Sequence, residues 1–125
     1  MKKGLIIKSP WIEKIFEGKK TWEIRNKDVN YRGKIYLIKS GTGHIYGECE
    51  IVDSKKLTLN EFLENIDKHQ VEDMSLLKYP EDKIYAWIID KVKLYEKPIA
   101  YKHPRGAIIW VNLDKEENII EQIPN

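Results

Sequence analysis

Short apolar runs alternate with charged residues along the whole chain, and the period of that alternation changes from segment to segment. Within Lys2–Lys8, Leu5-Ile6-Ile7 forms a continuous apolar centre, which predicts a first strand buried on both faces. In Pro10–Glu17 the period lengthens: Trp11, Ile12, Ile15 and Phe16 recur at three- and four-residue spacings, the stripe of a short amphipathic helix. Ser9 is placed to cap that helix and Pro10 to open it. Gly18 is placed to stop it, because glycine enters the left-handed conformation at no steric cost. In Thr21–Arg25 the period falls to two. A regular strand then puts Thr21, Glu23 and Arg25 on one face and Lys20, Trp22 and Ile24 on the other. Lys20 and Glu23 can converge only if Lys20 still belongs to the turn or a bulge intervenes.

Farther along, Lys34–Lys39 predicts a third strand, followed by the tight turn Ser40-Gly41-Thr42-Gly43. His44–Lys55 reads as a long strand with a bend at Gly47. Thr58 and Glu61 have the spacing of a capping box ahead of a helix over Leu59–Lys68, and a second helical piece is expected over Glu72–Leu77. Lys83–Leu94 predicts another long strand, broken by Pro98, and Ala107–Leu113 a last one after the Tyr101–Arg105 loop. Residues 114–125 read as either a terminal strand or a tail. Five or six strands with two or three helices, lacking regular βαβ alternation, predict an α+β fold with a mainly antiparallel, partly closed sheet.

The chain has 125 residues, enough for one domain with a single modest core. Its apolar runs are too short for a transmembrane helix, and the segment before Lys8 is too short for a secretory leader, so no membrane role and a cytoplasmic location are expected. A lone cysteine, Cys49, excludes an intrachain disulfide and a cysteine-based zinc cluster. Its place between Glu48 and Glu50 disfavours a thiolate, so it is expected to serve as a small buried hydrophobe. His44, His69 and His103 lack metal-ligand spacing, and neither a metal nor a cofactor is expected. The net charge of +2 conceals an asymmetry: residues 1–40 carry eleven Lys and Arg against four Asp and Glu, whereas residues 48–82 carry four against ten. A basic half beside an acidic segment suits a protein with one face for phosphates, although solvated surface lysines produce the same count.

The densest cluster of chemistry is Gly18-Lys19-Lys20-Thr21-Trp22-Glu23-Ile24-Arg25. Its pattern Gly18-x-Lys20-x-x-Glu23-x-Arg25 resembles the signature of the ASCH domain family, a branch of the PUA-like β-barrels. Gly33–Ser40 with Gly41-Thr42-Gly43, then Tyr46–Asp53, is similar to the family's next two strands and their glycine turn. Tyr101–Trp110 is similar to the closing strand of one bacterial and archaeal subgroup. The resemblance implies a small PUA-like barrel over residues 1–113.

It also implies a cleft on the barrel that binds RNA or a modified nucleotide. Lys20 and Arg25 would contact phosphate or a base edge, Glu23 would accept from an exocyclic amine, and Trp11 or Trp22 would stack on a base. Thr21 lies on the same strand. Ser40, Gly41, Thr42 and Gly43 would offer backbone N–H groups to a ligand. Some bacterial ASCH proteins are amidohydrolases that deacetylate N4-acetylcytidine with a lysine, a threonine and a distal glutamate. Lys20 matches the lysine, but Glu23 occupies the threonine's position and Thr21 sits two residues earlier. Glu23 would then act as general base for water with Lys20 polarising the carbonyl. Glu48 and Glu50 are candidates for the distal glutamate. Other members are linked to RNA cleavage, for which Lys20, Tyr36 or His44 could supply acid or base. A third alternative is a protein-interaction domain contacting its partner through the helical insert at 58–82.

Overall fold

The structure is a computed structural model that describes residues 2–114. Six strands form one sheet: β1 (Lys3–Ile7), β2 (Trp22–Arg25), β3 (Gly33–Lys39), β4 (His44–Lys56), β5 (Tyr85–Ala100) and β6 (Trp110–Asn112). Their spatial order is β2-β5-β4-β3-β1-β6, with β1 and β3 parallel and every other pair antiparallel. The sheet curls into a half-barrel, with β2 and β6 as its two unpaired edges. Three short helices accompany it: α1 (Trp11–Phe16), α2 (Leu59–Glu64) and α3 (Ile66–His69). The expected α+β class, strand count and mainly antiparallel pairing all appear. Of the expected terminal strand or tail at 114–125, only Asp114 lies within the described residues, where Oδ1 accepts from the Lys2 N–H at 2.6 Å.

Helix α1 lays Ile12 and Ile15 onto Leu5, Ile7, Leu37 and Ile51 in the concave core of the sheet. Its start differs from expectation. Ser9 does not cap the helix: no side-chain cap bond is made at Pro10, and Ser9 Oγ donates instead to Glu13 Oε2 at 2.7 Å. The end agrees, with Gly18 at φ +80°. On the convex side of β2 and β5, Phe62 of α2 joins Trp22, Ile24, Leu57 and Ile84 in a second core. The capping box is present, with Thr58 Oγ1 accepting from the Glu61 N–H while Glu61 Oε1 accepts from the Thr58 N–H.

Three segments depart from the pattern reading. The single helix expected over Leu59–Lys68 breaks at Asn65 into α2 and α3, because Asn65 (φ −120°, ψ 33°) leaves the helical region and its side chain donates to the Glu61 carbonyl. The piece expected over Glu72–Leu77 is a single 3-10 turn, Met74–Leu76. Pro98 does not end β5. The ladder pairs Gly47 with Leu94 and Ile45 with Ile99, so Pro98 falls in an irregular stretch opposite Tyr46, where no ladder N–H is required. Gly47 marks the bend: a Cβ there would collide with the Lys93 carbonyl oxygen of β5 and with the Phe16 ring of α1. That close approach lets β4 and β5 wrap around the helix end and brings α1 beside β2.

Candidate functional site: a charged cavity at the open seam

The site begins with the geometry of the helix stop. After Gly18 the chain stays wound against α1, with the N–H groups of Lys19 and Lys20 both donating to the Lys14 carbonyl at 3.0 and 3.1 Å. Lys20 therefore belongs to the turn, and the alternation of β2 begins only beyond it. The next residue is tied to α3, Thr21 N–H donating to the Lys68 carbonyl at 2.8 Å. Lys20 and Glu23, which a regular strand would point apart, are thereby brought to one wall.

Lys20 is 1% exposed, and Nζ donates to the His69 carbonyl at 2.7 Å and lies 3.5 Å from Glu23 Oε1. Nζ also sits 5.3 Å from the centre of the Trp11 ring, a cation–π contact on its apolar side. Burial is the main influence on this ammonium and pushes its pKa down, against the pull of Glu23 in the other direction. The opposite oxygen of Glu23 belongs to Arg25, whose Nη2 and Nε donate to Oε2 at 2.8 and 3.2 Å. Arg25 Nη2 reaches on to the Ile6 carbonyl of β1 at 3.0 Å, and the guanidinium lies over Trp87 at 5.5 Å. One buried carboxylate is clamped between two cations.

These three side chains line a cavity of about 390 Å³ between the β2 edge, α1, the 71–79 segment and the β1 end of the sheet. Trp11, Val71, Leu77 and Tyr79 supply apolar and aromatic wall; Ser40 and Lys8 lie at the rim toward β3 and β1. The lining carries four cations, Lys8, Lys20, Arg25 and Lys78, against one carboxylate, Glu23. Lys20 has three N–H donors, two of them directed at His69 and Glu23; Arg25 has five, of which Nε and Nη2 serve Glu23 and Ile6. The wall thus has donors to spare, beside a carboxylate with further lone pairs. Such an arrangement recognises a ligand that is rich in acceptors and carries at least one donor.

The remaining sequence-derived residues divide. Trp11 lines the cavity, but Trp22 does not: it is buried in the convex core with the ammonium groups of Lys68 and Lys55 over its ring at 5.0 and 5.2 Å. The Thr21 side chain is exposed and outside the cavity. Gly41 and Gly43 line a neighbouring cavity with Ser40. Thr42 lines neither; Oγ1 donates to the Lys39 carbonyl at 2.7 Å and accepts from the His44 N–H at 3.2 Å. The N–H groups of Ser40 and Thr42 are already committed to Ile7 and Lys39. Glu48 pairs with Lys34 and Tyr95, and Glu50 with Lys91, away from Lys20. Tyr36 is packed with Ile38 and Tyr95, and His44 Nδ1 bonds the Thr42 carbonyl, so neither joins the cavity. Cys49 is buried and its thiol is pushed up to about 12, first by burial and then by Glu23, Glu48 and Glu50. Among the described residues no three His, Cys, Asp or Glu side chains gather as metal ligands. No helix there is long and apolar enough to cross a membrane.

His69, Trp87, Tyr79 and Lys8 entered the site without a sequence signal that would have singled them out. His69 contributes a carbonyl, a group every residue has. Its ring is fixed by Nε2–H donating to the Phe62 carbonyl at 2.6 Å and Nδ1 accepting from the Val71 N–H at 3.0 Å. Burial holds the imidazole below its ordinary pKa, with the Lys20 charge acting in the same direction.

The half-barrel fold defines the class, and comparison with known proteins agrees. The ASCH domain profile matches residues 5–104, and the chain belongs to the ASCH domain family. The crystal structure of ASCH from Zymomonas mobilis superposes with a TM-score of 0.76 at 13% identity, covering 99% of this chain and 96% of that one. Two point mutants of the same Zymomonas mobilis protein give TM-scores of 0.76 and 0.74 at 12% and 13% identity, over 98% of this chain and 99% and 96% of theirs. No curated protein matches the chain.

Proposed function

We propose that this ASCH domain binds RNA or a modified nucleotide, holding one base in the Lys20–Glu23–Arg25 cavity. The observation that carries the reading is the clamped carboxylate. Glu23 is held immobile by Lys20 on one oxygen and Arg25 on the other, and is oriented to accept from an exocyclic amine while the flanking cations donate to ring or carbonyl acceptors. The Trp11 and Tyr79 side of the cavity offers aromatic surface to the base. Family membership is consistent with an RNA-binding module of the PUA-like type.

Hydrolysis of a modified nucleoside is the second reading, and one observation favours it: burial lowers the Lys20 pKa, which brings its neutral amine within easier reach as a base. Against it, Glu23 replaces the family's threonine and the Thr21 side chain does not line the cavity. A thermal-shift screen with ribonucleosides, modified nucleosides and short single-stranded RNAs tests binding. A ligand at a hundred times its Kd stabilises the native state by about 2.7 kcal/mol. The shift is expected for wild type and for Lys34→Met, and is expected to vanish for Lys20→Met. Product analysis of the stabilising mixture separates binding from turnover. Absence of any shift across the panel would leave the helical insert at 58–82, as a protein contact, the better account.

A further inference from the structure

Beside the first cavity lies a second, of about 620 Å³, whose own walls come from Ile38, Gly41, Gly43, Tyr101, His103 and Ala107. The two share a partition made by Ile6, Lys8, Ser40 and Ile108. Two features of this partition stand out physically. Lys8 is exposed, and its ammonium has no ion-pair or hydrogen-bond partner among the described residues. Ile108 is 79% exposed, the most exposed large apolar side chain in the described structure, and it lines both cavities.

The second cavity differs from the first in charge. Two of its polar side chains, Tyr101 and His103, are held in one short chain of hydrogen bonds. The Ala107 carbonyl can only accept, so His103 Nε2 carries the proton of the 2.9 Å bond, and Nδ1 shares a 2.7 Å bond with the Tyr101 hydroxyl. That pair is a fixed aromatic wall with both ring nitrogens engaged. The wall suits the face of a ring. Between the cavities sits an unpaired ammonium, that of Lys8; Lys78, on the first cavity alone, is a second.

We infer that the second cavity is a subsite for the neighbouring nucleotide of a single-stranded RNA, with the bridging phosphate on Lys8 and Ile108 inserted between the two splayed bases. Phosphate contacts by a lone lysine and apolar wedges between unstacked bases are established devices of nucleic-acid recognition. The inference rests on the reading of the first cavity as a base site. It turns that reading from a nucleoside pocket into a reader of a dinucleotide step.

The test is calorimetric titration of the full chain with single ribonucleosides and with the full set of ribodinucleoside monophosphates. The best dinucleoside monophosphate is expected to bind roughly tenfold tighter than its better nucleoside half, the gain one charge-assisted contact can supply. Its affinity should fall with salt at a log–log slope of about −0.7, the value for one phosphate of a single strand. Lys8→Ala and Ile108→Asp change exposed residues. Each should erase the tenfold gain of dinucleoside over nucleoside, and Lys8→Ala should also erase the salt slope. A dinucleoside monophosphate that binds no tighter than its nucleoside halves, or a Lys8→Ala variant that weakens both ligands equally, overturns the second subsite alone. Failure of wild type to bind any nucleoside or dinucleoside overturns both readings.

Discussion

Two lysine–glutamate pairs in this molecule have the same chemistry and opposite fates. Lys34 and Glu48 meet at 3.0 Å across β3 and β4 with side-chain exposures of 53% and 12%; Lys20 and Glu23 meet at 3.5 Å with exposures of 1% and 7%. Lys34 keeps most of its hydration, so the hydrogen bond it donates to Glu48 dominates and raises its pKa. Lys20 has lost its water, so burial dominates and lowers its pKa even with a carboxylate alongside. Proximity alone does not distinguish the pairs. Hydration does, because a desolvated ammonium needs every partner it has: the His69 carbonyl, Glu23 and the Trp11 face. The buried pair borders a cavity, whereas the surface pair borders solvent.

Breaking each pair at one partner should separate the two most widely. Glu23→Ala leaves Lys20 and Arg25 buried without their counter-ion and is expected to cost about 3–5 kcal/mol in urea unfolding. Lys34→Ala, which breaks the surface pair from its exposed end, is expected to cost under about 1 kcal/mol. Comparable losses at the two positions would break the comparison.

Removing the buried lysine comes next. Lys20→Met leaves the His69 carbonyl without its donor, a loss of about 1–3 kcal/mol, and is expected to abolish ligand-induced stabilisation. Lys34→Met should leave that stabilisation intact.

Acid titration probes the support behind Lys20. The folded pKa of His69 lies below its unfolded value of 6.5, so its contribution is full above that value. As pH falls below it the unfolded chain takes up a proton that the folded ring resists, and stability drops. Protonation of Nδ1 also cancels its bond from the Val71 N–H. His69→Gln should flatten stability between pH 6.5 and the onset of carboxylate titration, as read by melting temperature; an unchanged acid limb would remove His69 from the account.

The smallest effect lies in alkali and has opposite signs at the two lysines. Between its lowered folded pKa and 10.5, Lys20 has lost its proton in the native state but not in the unfolded one, so its term makes stability rise with pH. Lys34 has a raised folded pKa, so its contribution is present below 10.5 and is lost as pH climbs through the raised value. Relative to wild type, Lys20→Met should steepen the alkaline decline of stability and Lys34→Met should soften it. Slopes of one sign would show that burial does not govern Lys20.

Much of this architecture was legible from periodicity. The apolar centre of Leu5–Ile7, the Gly18 stop, the Thr58–Glu61 box and the long strands around Gly47 are local signals that the fold obeys. The misreadings came where tertiary context outweighs local preference. Pro98 survives inside β5 because the partner strand skips the ladder there, and Asn65 divides a helix whose apolar spacing runs straight through it. Within the site, Lys20, Glu23 and Arg25 were visible as a cluster, but their convergence depended on whether Lys20 stayed in the turn, which its bond to the Lys14 carbonyl decides. Trp22 and Trp11 look alike in sequence, and only the faces of β2 and α1 assign one to the core and the other to the cavity. Lys8 lines the cavity by its position and His69 meets Lys20 through a main-chain carbonyl, neither of which residue type announces.

A closed barrel has its girth set by an unbroken ring of main-chain bonds. Here the ring is interrupted between β2 and β6, and across that side of the molecule Arg25 ties the β2 edge to the Ile6 carbonyl of β1. The same guanidinium holds Glu23 and lines the cavity. The gap is therefore spanned by a side chain that also lines the cavity, so a change at Arg25 reaches both the spacing of the edges and the cavity wall, while the ladders of the sheet keep their register.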